Sequence, residues 1–373
     1  MSQYNSVIAS IQRRPALLSK DSLPIVVFFF SLVMLSSQAY AQRNASPTQD
    51  KPTVITLEVF GDPRGALGSQ QEWMQALQKV GANRVTTGSG SRAEASVNEQ
   101  ETTQAISIRV KGFLEKGKLV LPGGKFSIRE TDKIKSLLAG FRVNGAEVTL
   151  AEKKAFGLTA KQLVWLHSQL NVEVKTETNG KPLSEIISTL RKPLEEVSGV
   201  KVVLDSMAQK VIRSDKTATE EMKGLSTGTS LAAILRPHGL VLEPVHVKAN
   251  EIELHIKDSQ SSEEHWPVGW PLDRPPIQVE PKMSEQMPIQ IKNFPLDKVM
   301  VAVQKRADVP FLYDQNSLAR EGIEMPDIKV SLTEKNASLS IVVFRLLRQT
   351  KPRLSHEMRM DEKGKGFIWI SAR

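Results

Sequence analysis

The chain contains no cysteine. That excludes disulfides, thiolate catalysis, cysteine metal ligation and a lipid-bearing cysteine, so ordinary packing must hold the fold together. Aromatic residues are scarce, at 5%, and they do not alternate with a basic stripe. The formal charge is +9, yet acids are interleaved with bases almost everywhere. A nucleic-acid binder gathers its basic residues on one face, often with aromatics between them, so no nucleic-acid partner is expected. Only one long apolar run exists, Leu23 to Leu35. No other segment approaches the length needed to span a bilayer.

That run explains the N-terminus. Arg13, Arg14 and Lys20 precede it, and Ala39-Tyr40-Ala41 follows with the small residues of a cleavage site. This is the layout of a secretory signal peptide cleaved after Ala41. As a helix the run extends about 20 Å, short of the roughly 30 Å hydrocarbon core of a bilayer, so it addresses the chain without anchoring it. The adjacent arginines suggest twin-arginine export, but Pro15 follows them and the run is strongly apolar, which favours the general route. The leader carries three bases and one acid, so the mature chain from Gln42 retains an excess of +7. A cysteine-free exported chain points to a bacterial periplasmic or secreted protein, with no membrane-spanning segment once mature. Its length predicts two or three domains.

Residues 42–52 read as a polar, mobile tail. Val54 to Phe60 alternates as a half-buried strand does. Ser69 to Glu72 has capping-box spacing before a helical face of Trp73, Met74, Leu77 and Val80, and Val85 to Thr87 suggests a returning strand. Residues 88–104 lack apolar periodicity and predict a flexible excursion. Ile106, Ile108 and Val110 open another strand, and Pro122-Gly123-Gly124 turns a hairpin between Leu119 and Ile128. Helices are expected over Asp132 to Phe141 and, behind the Thr159 to Gln162 capping box, through Leu163, Leu166 and Leu170. The first domain is placed at 53–176.

Beyond it a pattern occurs twice. Pro182-Leu183 and Pro295-Leu296 each open an amphipathic helix. Each helix leads to an apolar strand ending in an acid, Val200 to Asp205 and Phe311 to Asp314. A second helix follows, with Leu231, Ile234 and Leu235 in one copy and Leu339, Val343, Leu346 and Leu347 in the other. Both copies close with a two-stranded ribbon. Pro193 is expected to interrupt the first helix, and the segment before Leu231 makes a poor strand. Between the copies, residues 258–290 include Pro267, Pro271, Pro275 and Pro276 and predict a semi-rigid extended spacer.

This repeated unit resembles the STN module, the short N-terminal module of secretins and TonB-dependent receptors. The second copy carries the likeness best, through Pro295-Leu296, Phe311-Leu312-Tyr313-Asp314 and the alternating Ile328, Val330 and Leu332. The resemblance covers about 160 residues. It implies two small non-catalytic modules, 177–257 and 291–373, that contact other proteins of the envelope. The chain lacks the pore, barrel or plug of that family.

Several motifs admit a chemical reading beside a simpler one. Gly224-Leu225-Ser226-Thr227-Gly228 matches the G-x-S-x-G elbow of a serine hydrolase, with His265 or His356 as a later base, but no buried strand precedes it. It reads more simply as a loop and helix cap. His246 and His255, with Glu253, are too few for a convincing metal site. The glycines from Gly61 to Gly68 fit neither a P-loop nor a dinucleotide fingerprint. The acid pairs Glu195-Glu196 and Glu263-Glu264 read as solvated faces, and His167 and His238 as structural. Asn44 and Asn336 head sequons without consequence in a bacterium. Trp266 and Trp270 flank Pro267-Val268-Gly269 and either anchor a partner or clamp the spacer, with clamping favoured.

The expectation is therefore an α+β protein, an N-terminal α/β domain followed by two STN-like modules, with no enzymatic activity, cofactor or metal. Its candidate binding residues are Trp266, Trp270, Tyr313 and Asp314. An envelope protein is its expected partner, exposed strand edges its means of contact, and self-association is left open. The alternatives are a hydrolase using Ser226 and a ligand-binding protein with a cleft between modules.

Overall fold

The structure, a computed structural model, describes residues 51–61, 67–88, 94–248 and 251–372. The proposed leader and most of the tail after it lie outside these residues. The fold mixes helices and sheets, as α+β implies. No described helix is long and apolar enough to cross a membrane. The described chain divides into two compact units, one of residues 154–245 and 252–372, the other of the residues up to Lys153 together with residues 246–248 and 251.

The N-terminal unit is built on a six-stranded sheet in the order β2-β1-β4-β5-β6, with β3 also paired to β4. Strand β1 (Thr53–Phe60), helix α1 (Leu67–Leu77) and β2 (Arg84–Gly88) form a parallel βαβ unit. Helix α1 starts two residues before Ser69, which is therefore not its cap. Strand β4 (Ile106–Glu115) lies parallel to β1 on its other side. The Pro-Gly-Gly hairpin joins β5 (Lys118–Leu121) to β6 (Gly124–Phe126). Ile55, Leu57, Val59, Ile108 and Val110 alternate into a core with Trp73, Leu77 and, from helix α2 (Thr131–Leu150), Ile134, Leu138 and Phe141. Gly145, after Asn144, breaks the helical backbone of α2 with φ +77°, a conformation open to glycine. The predicted flexible excursion is partly corrected: Ser96–Glu101 forms β3, antiparallel to β4. Its side chains are mostly exposed, so backbone pairing makes the strand without an apolar period.

The C-terminal unit starts earlier than 177. Helix α3 (Ala160–Leu170), closed by the Thr159–Gln162 capping box, places Leu163, Leu166 and Leu170 in the core shared with residues that follow it. The first module then runs α4 (Leu183–Glu196), β7 (Val202–Leu204), α5 (Ser206–Ile212), α6 (Thr227–Leu235), β8 (Leu240–Lys248) and β9 (Glu251–Asp258). Helix α4 continues through Pro193, because Leu183, Ile186, Ile187, Leu190 and Leu194 are all buried on one face. That burial outweighs one missing backbone bond. The second module runs β11 (Gln286–Pro295), α8 (Leu296–Ala307), β12 (Phe311–Tyr313), α9 (Gln315–Arg320), β13 (Lys329–Ser338), α10 (Leu339–Leu347), β14 (Leu354–Met360) and β15 (Gly366–Ala372).

The two modules share a pairing pattern. In each, the short strand lies parallel to the last strand, β7 on β9 and β12 on β15. The backbone bonds correspond: Leu254 N donates to Lys201 O and Asp205 N to Ile256 O, while Ile368 N donates to Pro310 O and Asp314 N to Ile370 O. The β11–β13 ribbon of the second module corresponds in the first to a frayed pair, with isolated bridges at Glu173–Ser226 and Pro182–Thr217. The short helices α5 and α9, which the sequence pattern did not mark, follow the strand-ending acids. Asp205 caps α5 by accepting from Ala208 N at 2.6 Å.

The proline-rich segment is not a free spacer. It is wound into the C-terminal unit through β10 (Trp270–Pro271) and the single-turn helix α7 (Pro276–Val279). Trp266, Val268 and Trp270 are buried in the first module's core, which also takes Leu312, Phe367 and Trp369 from the second. The second module keeps its own core around Met300, Val303, Phe311, Val343 and Leu346.

Candidate functional site

Ser226 does not stand over a sheet as a nucleophile. It is fully buried at the start of α6, where its hydroxyl donates to the carboxylate of Glu362. Glu362 lies on the turn between β14 and β15 and is itself buried. The same Oε2 accepts from Thr229 N at 3.1 Å and Thr229 Oγ1 at 2.8 Å. Its Oε1 accepts from the indole N–H of Trp266 at 2.6 Å and of Trp270 at 3.3 Å. A carboxylate with five donors at a helix N-terminus is satisfied by hydrogen bonds and by the helix dipole without a counter-cation. Beside it, Asp361 accepts from the backbone N–H groups of Ser226, Lys363 and Lys365 at 2.8, 2.9 and 2.8 Å, while burial pushes its carboxyl upward.

The imidazoles offer Ser226 no base. His167 packs 5.7 Å from the Trp270 ring, and burial holds it below the usual histidine range against the opposing charge of Glu362. His356 packs on Phe344, and His265 lies within the fields of Arg236 and Glu243. Glu253 is engaged by Lys201 at 2.7 Å and His255 at 3.0 Å, and no metal-binding group of three or more ligands occurs among the described residues.

The four expected binding residues separate. Trp266 and Trp270 are buried, in T-shaped contact at 5.1 Å, with both N–H groups on Glu362. They clamp the proline-rich segment and offer no surface. Asp314 is also buried, in a two-pronged pair with Arg236 of the first module at 3.0 Å on each side. Tyr313 alone faces a cavity.

That cavity lies between the modules and has a volume of 670 Å³. One wall is the segment Thr219–Lys223 of the first module. The other comes from α8, through Asp297, Val301, Gln304 and Lys305, and from β12. The α8 residues share a face because they recur every three or four positions. Val301 is an exposed apolar residue at 62%. Glu220 is only 8% exposed and accepts from Gln315 Nε2 at 2.6 Å and from the Tyr313 backbone N–H. Burial raises its carboxyl to about 7. The Tyr313 phenol is pushed upward by burial and by the neighbouring Glu220 and Asp297 carboxyls. Asp297 Oδ1 is buried without a hydrogen-bond partner. Nothing local in the sequence marked Glu220 or Glu362, whose partners lie far along the chain, or Asp297 as a buried group of the cleft.

Several edge groups of the C-terminal unit's sheets are already occupied. On β7, Val202 N donates to Glu195 at 3.1 Å and Leu204 O accepts from Gln209. On β8, Leu242 O accepts from Trp266 N, and β14 is covered by β10. On β13, Gln349 takes both backbone groups of Ser331. On β12, the Tyr313 N–H is taken by Glu220. Strand β11 has no such cover, but it carries Pro288, Lys292 and a positive φ at Asn293, features that discourage strand addition.

No family model matches the chain, and no curated protein or solved structure matches it.

Proposed function

We propose that the chain is an exported, non-enzymatic recognition protein of the bacterial envelope, and that it binds a partner protein in the cleft between two STN-like modules. The observation that carries this reading is the 670 Å³ cleft itself, lined by polar groups around an exposed valine, a concavity able to take an anchoring side chain or short segment of a partner. The occupied edge groups on β7, β12 and β13 favour this concavity over strand addition to those edges. The burial of Ser226 and its commitment to Glu362 support a role without a reactive serine.

The test is site-specific photo-crosslinking in envelope extracts. Benzoylphenylalanine at Gln304, in the cleft wall, should give a discrete protein adduct, and the same group at exposed Val197 should not. Equal adducts from both positions, or none from Gln304, would contradict the reading. Adducts from Gln290 alone would favour the uncovered edge of β11.

A further inference from the structure

Glu220 stands on the first module, where its carbonyl accepts from Thr178 Oγ1 at 2.7 Å, yet both bonds of its carboxyl go to the second. Gln315 Nε2 on α9 donates to it at 2.6 Å, and so does the Tyr313 backbone N–H of β12. It is therefore a tie across the back of the cleft. The groups facing it are known from each side. Tyr313 comes from β12 and Gln315 from α9, and beyond Tyr313 lies Asp297 of α8. On its own segment, Glu221 is turned to Thr178 N and Lys223 N, and Lys223 pairs with Glu177 at 3.5 Å. Lys305 and Lys365 line the same cavity, but no basic group contributes to the charge balance of Glu220. The other ties between the modules differ from it. Asp314 faces Arg236, and Glu362 has five donors.

We infer that Glu220 is a charge-switched latch of the cleft: uncharged, it holds the Thr219–Lys223 wall against β12, and its ionisation lets that wall part. The inference deepens the cleft reading and rests on it for its meaning in recognition. Its logic is linkage. Burial holds the closed-state carboxyl near 7 against the pull of its two donors, whereas a carboxyl released to water returns to its ordinary value of 4.5. Opening is thus favoured as pH rises through this range, by as much as about 300-fold in the opening equilibrium.

Hydrogen exchange of the full mature chain, without any partner, tests this. Amides of 217–223 and 309–315 should show an opening equilibrium, corrected for intrinsic exchange, that rises between pH 5.5 and 8.5. Residues 131–150 should stay level. Glu220→Gln, an uncharged variant of the same shape, should abolish the rise, and Asp297→Asn should keep it. A level profile in the parent chain would overturn the latch, as would a rise that persists in Glu220→Gln. A level profile together with a cleft-specific adduct from Gln304 would remove the latch and leave the cleft reading standing.

Discussion

Replacing Glu362 removes more hydrogen bonds at once than a typical buried substitution. Its carboxylate accepts five hydrogen bonds from Ser226, Thr229, Trp266 and Trp270, all buried. In Glu362→Ala these donors lose their acceptor together. A buried donor left unpaired costs about 1–3 kcal/mol, and water entering the space recovers part of it, so the expected loss is about 4 kcal/mol. That is a large fraction of the roughly 5–15 kcal/mol by which a domain is stable. Glu362→Gln separates charge from shape. Its amide oxygen can stay on the two indoles, while its NH₂ turns to the hydroxyls of Ser226 and Thr229, which can rotate to accept. Only Thr229 N–H is then opposed, and the loss should be about 1–2 kcal/mol. Urea unfolding followed by tryptophan fluorescence measures both. A loss below about 1 kcal/mol for Glu362→Ala, or equal losses for the two variants, would refute the argument from satisfied donors.

Other consequences can be checked in the same preparations. Glu220 binds its proton more tightly folded than unfolded, so its contribution is fullest below the unfolded value of 4.5 and is lost as pH rises toward 7. Stability should fall by up to about 3 kcal/mol across that window, and Glu220→Gln should flatten the profile in denaturation series. Arg236→Ala strands the buried Asp314 carboxylate and should destabilise by about 2 kcal/mol, discounted because the arginine is partly exposed. Arg236→Lys should restore only part, since an ammonium cannot grip both oxygens. Gly269→Ala would place a methyl 2.3 Å from the Phe367 ring at φ +69°, and thermal melting should register a loss of about 2–4 kcal/mol. A fluorophosphonate probe should leave Ser226 unlabelled, as intact-mass measurement would show.

The sequence carried the elements whose signal is local. Alternation exposed β1 and β4, Pro-Gly-Gly exposed the β5–β6 hairpin, and Thr159 to Gln162 exposed the start of α3. The proline before each long helix was legible too, since Pro182 and Pro295 both occupy the cap with φ near −58°. Strand β3 was hidden because its side chains face water and only its backbone pairs. The G-x-S-x-G match reflected a helix start and not an elbow. Its serine lies 136 residues from Glu362, and no local pattern records so distant a bond. Trp266 and Trp270, candidates both for partner binding and for a clamp, are buried with their indoles on Glu362, a carboxylate that no local pattern ties to them. Tyr313, the last residue of β12, faces the cleft, while Asp314, at the cap of α9, is consumed by Arg236.

The account turns on whether the cleft is where recognition happens. The affinity of the partner captured from Gln304, measured by calorimetry against the parent chain and against Val301→Trp, addresses this directly. Val301 is exposed in the cleft wall, so the larger side chain fills the cavity without disturbing the core. A loss of affinity of at least tenfold with unchanged unfolding behaviour is the predicted result, and equal affinity for the two chains would contradict it.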